Sequence, residues 1–139
     1  MRNIARFALG IAAGLALAGN AHAQAWPAKP VRVVVAFTAG GTTDILARSV
    51  GAQLTEKLKQ QFIVDNKPGA GGNLGTELVV RAPADGYTLL VGSVGPIAVN
   101  PTLYPKLAYN PLTDLVPVVQ IAEVPNVLVV HTSVPARSF

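Results

Sequence analysis

The sequence predicts an α/β domain with a parallel sheet, on three observations. The run "VRVVVAF", residues Val31–Phe37, is β-branched and apolar without strict alternation, which is typical of a strand buried on both faces. From Asp44, leucine or valine recurs every four residues with polar residues between, which indicates an amphipathic helix. The same alternation of strand, loop and helix then repeats, as in domains built on parallel sheets.

The remaining elements follow in order along the chain. Phe62–Val64 predicts a short second strand, Leu74–Arg81 a second helix and Thr88–Val94 a third strand. The segment 101–111 is rich in proline and predicts a loop. The apolar runs 116–122 and 126–130 predict two further strands.

The first 23 residues have the three parts of a secretory signal peptide. Arg2 and Arg6 give a positive start, an uncharged apolar run follows, and Ala21-His22-Ala23 is a small-x-small cleavage pattern before Gln24. The alternative is a membrane anchor, but the apolar run is shorter than the roughly 20 residues that span a bilayer. We therefore predict export to the periplasm with cleavage near Ala23.

Composition excludes several classes of function. Two of the eleven basic residues lie in the leader, against seven acidic residues in all, and no basic run marks a nucleic-acid site. The chain has no cysteine, so we expect no disulfide framework. His131 is the one histidine outside the leader, so the sequence predicts no histidine-based metal site and no cofactor.

Three loops should meet at the carboxyl edge of the sheet, where open α/β folds bind ligands. They are "TAGGTT", "NKPGAGGNLG" and "GSVGPIAVNP", each carrying glycine with hydroxyl or amide side chains. The first two run into helix N-termini, whose unpaired N–H groups attract anions. The loops therefore favour an anionic ligand on bare backbone, while tight turns and helix caps explain the glycines equally well.

The sequence of these loops supports nucleotide binding or catalysis less well than it supports binding of a small anion. The dinucleotide fingerprint that starts at Gly69 and Gly71 requires a glycine where Leu74 stands, and a phosphate loop with Gly-Lys-Ser/Thr is absent. Ser93 lacks the Gly-x-Ser-x-Gly spacing of a hydrolase nucleophile. Asp44 lies in the first turn of a helix, where a carboxylate complements the dipole.

Four segments, in order, resemble the Bug family of extracytoplasmic solute receptors of tripartite tricarboxylate transporters. They are "KPVRVVVAFTAGGTTDILAR", "DNKPGAGGNLGTE", "ADGYTLLVGSVGPIAVNPTLY" and "VPNVLVVHTSVPA". The resemblance implies a two-lobed type II periplasmic binding protein that holds a small carboxylate through backbone N–H groups. Carried over position by position, it implies ligand-binding roles for Thr38, Gly40, Gly41, Thr42, Gly71, Gly72, Asn73 and Ser93.

The resemblance also implies a role and partners. The chain should be a non-enzymatic receptor that delivers a di- or tricarboxylate, an acidic amino acid or a related ligand to membrane transporter subunits. The alternative is a ligand sensor for a membrane signalling partner. Family members are much longer, so we expect residues 24–139 to form the N-terminal part of the first lobe, with the second lobe missing from a truncated chain. Pro96 and Ile97 depart from the polar residues common in the family's third loop.

Overall fold

A computed structural model describes residues 25–125, 127–131 and 133–135; the predicted leader lies outside them. The core is a three-stranded sheet of β1 (Val31–Val35), β2 (Phe62–Asn66) and β3 (Thr88–Val91). The strand order is β2-β1-β3, and β1 pairs in parallel with both neighbours. The predicted parallel α/β sheet is therefore confirmed, with β1 at its centre.

Helix α1 (Thr42–Leu58) covers one face of the sheet. Val31, Val33 and Val35 point to this face because side chains alternate along a strand, and they form a buried cluster with Ala47 of α1 and Phe62. The helix begins at Thr42 with Gly41 in extended conformation as its N-cap, and no side chain caps it. The carboxylate of Asp44 accepts a hydrogen bond from the Gly40 N–H in the preceding turn instead.

Helix α2 (Asn73–Val80) follows a 3-10 turn at Ala70–Gly72 and packs against β1 and β3. Gly75 allows this contact: a β-carbon there would lie 2.8 Å from the Cα of Ala36 and 2.7 Å from the carbonyl oxygen of Lys67. Right-handed crossovers place α1 and α2 on opposite faces of a sheet of this order. The loops after β1 and β2 therefore lead to helices on opposite faces, and they lie at the carboxyl edge of the sheet, where such folds bind ligands.

The segment after β3 is more helical than the sequence suggested. A π-helix (Gly95–Val99) continues into α3 (Asn100–Leu103), and α4 (Pro111–Asp114) follows, with Asn110 as a side-chain N-cap. In the part of the chain that the structure describes, no helix has the length and apolar character needed to cross a bilayer.

The two further strands predicted at 116–122 and 126–130 are not formed; Asn126 itself lies outside the described residues. The described residues between Val116 and Val130 belong to no strand or helix and are exposed. Apolar character alone does not make a strand, because a strand needs a neighbour that accepts and donates its backbone hydrogen bonds. Among the described residues, none supplies that neighbour here.

Candidate functional site

Three loops lie at the carboxyl ends of the three strands. We call Ala36–Gly41 the first loop and Lys67–Gly72 the glycine loop; the third loop is Gly92–Val99, which includes the π-helix. Because all three strands are parallel, these loops share one edge of the sheet. The predicted ligand-binding residues fall in these loops or in the first residue of the helices that follow them.

The first loop is held at both ends by polar side chains, those of half-buried Asn66 and buried Asp44. Asn66, at the end of β2, donates from Nδ2 to the carbonyl oxygen of Phe37 at 3.1 Å. Asp44 accepts the Gly40 N–H at Oδ2, with N and O 2.9 Å apart. Gly40 has a φ of 86°, a left-handed conformation that glycine adopts without steric cost. Both bonds fix the path of the loop into α1.

Asp44 is saturated by its donors. Arg48 approaches both carboxylate oxygens, with Nε 3.0 Å from Oδ2 and Nη2 3.0 Å from Oδ1, and Asn66 donates to Oδ1 at 2.9 Å. The hydrogen bonds from Arg48, from the Gly40 N–H and from Asn66 lower the pKa of Asp44 from 3.8 to about 2. A carboxylate that is buried, ionised and fully occupied has a structural role and does not serve as a general base.

The start of α1 presents backbone donors to solvent. The first hydrogen bond of α1 runs from the Ile45 N–H to the Gly41 carbonyl oxygen, so the N–H groups of Thr42 and Thr43 precede the intrahelical ladder. Thr38, Gly40, Gly41 and Thr42 are all exposed. Thr38, Gly41 and Thr42 therefore offer N–H and hydroxyl groups at a helix N-terminus, whereas the Gly40 N–H is taken by Asp44.

The glycine loop packs against the protein itself. Gly72 is buried with a φ of 93°, and a β-carbon there would lie 3.1 Å from Phe37 Cζ and 3.1 Å from Pro96 Cγ. Its N–H donates to the Gly69 carbonyl oxygen at 2.9 Å, and the Asn73 N–H bonds to the Ala70 carbonyl oxygen. Two of the predicted backbone donors in this loop are thus already used. Bare backbone at Gly72 is required by the close approach of the two other loops.

Asn73 joins a buried polar network that the sequence did not reveal. Its Oδ1 accepts from Asn100 Nδ2 at 2.6 Å and lies 3.0 Å from the Tyr109 hydroxyl. Asn100 also donates to the Gly71 carbonyl oxygen, and the Tyr109 hydroxyl to that of Pro96. Burial raises the pKa of the Tyr109 hydroxyl, so Tyr109 is neutral at physiological pH. This network fastens the glycine loop to the segment after β3.

The third loop contributes one polar and several apolar groups. Ser93 is half-buried, and its Oγ lies 3.8 Å from where a β-carbon on Gly95 would stand. Val94 and Ile97 are exposed, whereas Pro96 is buried against the glycine loop. Pro96 thus serves packing between loops, and Val94 and Ile97 give this side of the edge an apolar surface.

Two cations near the three loops, Arg48 and Lys67, are paired within the described residues. Arg48 is engaged by Asp44 and Asn66, and Lys67 lies 3.1 Å from Asp65. No group of three His, Cys, Asp or Glu residues able to hold a metal is present in the described ranges. Two open grooves, of about 450 and 380 Å³, border β2 and include none of the three loops, so they are not the candidate site.

The chain matches a family model and several relatives among known proteins. Residues 46–139 match the tripartite tricarboxylate transporter family receptor. The protein BugT of Bordetella pertussis is 42% identical over 116 residues, which are 83% of this chain and 36% of BugT. The chain thus spans little more than a third of the length of this relative.

Solved structures agree with the fold. Rpa4515 of R. palustris, solved with adipate, is 45% identical with a TM-score of 0.62 over 63% of this chain and 29% of its own. MatC from Rhodopseudomonas palustris, solved with bound malate, is 43% identical with a TM-score of 0.61 over 64% of this chain and 30% of its own. On this match of sequence and fold, the chain belongs to the family of tripartite tricarboxylate transporter receptors.

Proposed function

We propose that this chain is a ligand-binding part of a periplasmic receptor that captures a small carboxylate. The receptor would deliver this ligand to membrane subunits of a tripartite tricarboxylate-type transporter. Ligands of this class include di- and tricarboxylates and acidic amino acids. The role is binding without chemistry, because the acid nearest the loops, Asp44, is consumed by structural hydrogen bonds.

The observation that carries the proposal is the exposed start of α1. The N–H groups of Thr42 and Thr43 precede the first hydrogen bond of α1 and have no partner among the described residues, and both Thr42 and the hydroxyl-bearing Thr38 are exposed. A helix N-terminus with such donors stabilises a carboxylate without needing a cationic side chain. The relatives solved with malate and adipate support a carboxylate as the ligand class.

The geometry divides the predicted site residues into two groups. We propose that Thr38, Gly41, Thr42, Gly71 and Ser93 face the ligand, because each is exposed or half-buried on the shared edge. Gly40, Gly72 and Asn73 shape the site instead, since their N–H groups are bonded to Asp44, Gly69 and Ala70. The carboxylate would then be held chiefly at the start of α1.

Residues 24–139 would form part of the first lobe of a two-lobed receptor. Receptors of this kind enclose the ligand by hinge closure, which removes it from water. Without such enclosure each exposed hydrogen bond contributes only about 0.5–1.5 kcal/mol. We therefore expect this chain alone to bind its ligand weakly, above the micromolar range.

The test of ligand class is a calorimetric and NMR titration of the exported chain with malate, adipate, citrate and glutamate. Malamide and adipamide serve as matched controls, because they keep the carbon skeleton and lose the charge. Binding of the acids and not of the amides supports the proposal; equal binding of both would overturn it. N-terminal sequencing of the exported protein, expected to begin at Gln24, tests the periplasmic location.

A ligand sensor remains the alternative from a different class. It would use the same loops and report ligand to a signalling partner in the membrane. Transporter genes beside this gene favour the receptor, whereas a sensor kinase gene in that place favours the sensor.

A further inference from the structure

From the geometry we infer that Asp44 and Asn66 are positioning residues that set the shape of the first loop so that the start of α1 can receive a carboxylate. This inference rests on the proposed function for its ligand, but the arrangement of the two side chains stands on its own geometry. Neither residue was predicted from sequence to have this task.

Both polar atoms of the Asn66 side-chain amide form hydrogen bonds that hold the first loop and its neighbours. Its Nδ2 donates both to the Phe37 carbonyl oxygen at 3.1 Å and to Asp44 Oδ1 at 2.9 Å. Its Oδ1 accepts from Arg48 Nη2 at 2.9 Å. Because Asn66 pairs with Val35 at the end of the parallel ladder, the amide is carried by the sheet and is a fixed point for the loop.

Asp44 performs the matching task from the helix side. Its Oδ2 takes the Gly40 N–H at 2.9 Å, four residues back along the chain. Gly40 is left-handed and exposed, and a β-carbon there would meet no other atom within 4 Å. The hydrogen bond to Asp44 is therefore the contact that fixes the second end of the first loop.

Between the two fastened points the loop is exposed. Thr38 and Ala39 are bounded by Phe37, whose carbonyl is held, and Gly40, whose N–H is held. A fixed conformation of Thr38 and Ala39 determines the direction of the Gly41 and Thr42 N–H groups. Preorganised donors bind more tightly because less conformational entropy is lost when the ligand arrives.

The charge of Asp44 does not oppose an anionic ligand. Arg48 lies against both carboxylate oxygens, so the pair is close to neutral as a unit. The asparagine amide adds two donors on the loop side without adding charge. Asp44, Arg48 and Asn66 can therefore lie next to an anion-binding site without repelling the anion.

The test compares Asp44→Asn and Asn66→Ala with Asp65→Asn in the exported full chain. Asp65 is a matched control because it is the neighbouring β2 carboxylate and pairs with Arg32 and Lys67, away from the first loop. In ¹H–¹⁵N spectra, Asp44→Asn and Asn66→Ala should shift the amide resonances of residues 38–43, and Asp65→Asn should leave them in place.

The ligand arm uses malate as the probe. We expect the Kd of both positioning variants to rise by at least about fivefold at a temperature where all variants are folded, and that of Asp65→Asn to stay within about twofold. A rise equal to that of the control would overturn the inference, because a merely stabilising role would affect both alike.

The two arms separate this inference from the proposed function. If the unsubstituted chain binds no carboxylate even at millimolar concentrations, the proposed function fails, and the spectra alone judge the role of Asp44 and Asn66 in ordering the first loop. If carboxylates bind but the amide resonances of residues 38–43 ignore both substitutions, the positioning role is wrong while the function stands.

Discussion

Gly72 and Phe37 approach so closely that a β-carbon on Gly72 would lie 3.1 Å from the Cζ atom of the ring. This contact joins the glycine loop, which follows β2, to the first loop, which follows the central strand β1. It also explains why backbone is left bare at this point, since Pro96 closes on Gly72 from the third loop. The three loops of the candidate site are thus packed into one unit at Gly72.

Gly72→Ala should destabilise the fold more than Gly40→Ala. Both residues have positive φ, so alanine costs about 1–2 kcal/mol in left-handed backbone at either position. At Gly72 the added methyl also meets Phe37 and Pro96, and overpacking adds about 1–3 kcal/mol. Urea denaturation of both variants measures the difference. Equal losses would mean that the contact with Phe37 and Pro96 is not tight.

Tyr109→Phe should destabilise the chain by about 1–3 kcal/mol, because it leaves the buried Pro96 carbonyl oxygen without its donor. Tyr104→Phe is the matched control: Tyr104 is 43% exposed, and its hydroxyl can bond to water when the protein is folded. Thermal unfolding followed by circular dichroism compares the two. A Tyr109→Phe variant as stable as Tyr104→Phe would contradict the network.

The contribution of Asp44 to stability should disappear in acid. Its pKa is lowered in the folded state from 3.8 to about 2, so the folded protein gains from ionised Asp44 above the unfolded pKa. The gain is lost as the pH falls through the folded pKa. The difference in unfolding free energy between the unsubstituted chain and Asp44→Asn should therefore be largest above about pH 4 and shrink towards about pH 2.

The difference in unfolding free energy between the unsubstituted chain and Asp44→Asn isolates Asp44, because the contributions of the other acids to the pH dependence cancel. Asp65, Asp85 and Asp114 also have lowered pKa values, and each titrates alike in both proteins. Guanidinium denaturation at a series of pH values gives the curve. A difference that stays constant down to pH about 2 would mean that Asp44 is not held by Arg48, Gly40 and Asn66.

The parts of the fold that depend on local pattern were predictable. The β-branched run at Val31 and the four-residue spacing after Asp44 gave β1 and α1, and the parallel order followed from their alternation. The position of the three loops at one edge also followed, because parallel strands place their carboxyl ends together.

The parts that depend on distant partners were not predictable. Asn66 and Asp44 are 22 residues apart, and Tyr109 reaches Asn73 across 36 residues. Asn66, Asn100 and Tyr109 carry no local signal, because the residues next to an asparagine or a tyrosine in sequence do not indicate which distant group its side chain will bond. The strands expected between 116 and 130 failed for the same reason, because pairing depends on a neighbour that local sequence does not specify.

The central claim is that a carboxylate is received at the carboxyl edge of the sheet, at the start of α1. The most direct measurement is a ¹H–¹⁵N titration of the exported chain with malate, with malamide as the uncharged control. We predict that malate shifts the amides of Gly41, Thr42 and Thr43 and those of Gly71 and Ser93, and that malamide does not. Shifts confined to the grooves beside β2, or identical shifts from malamide, would contradict the account.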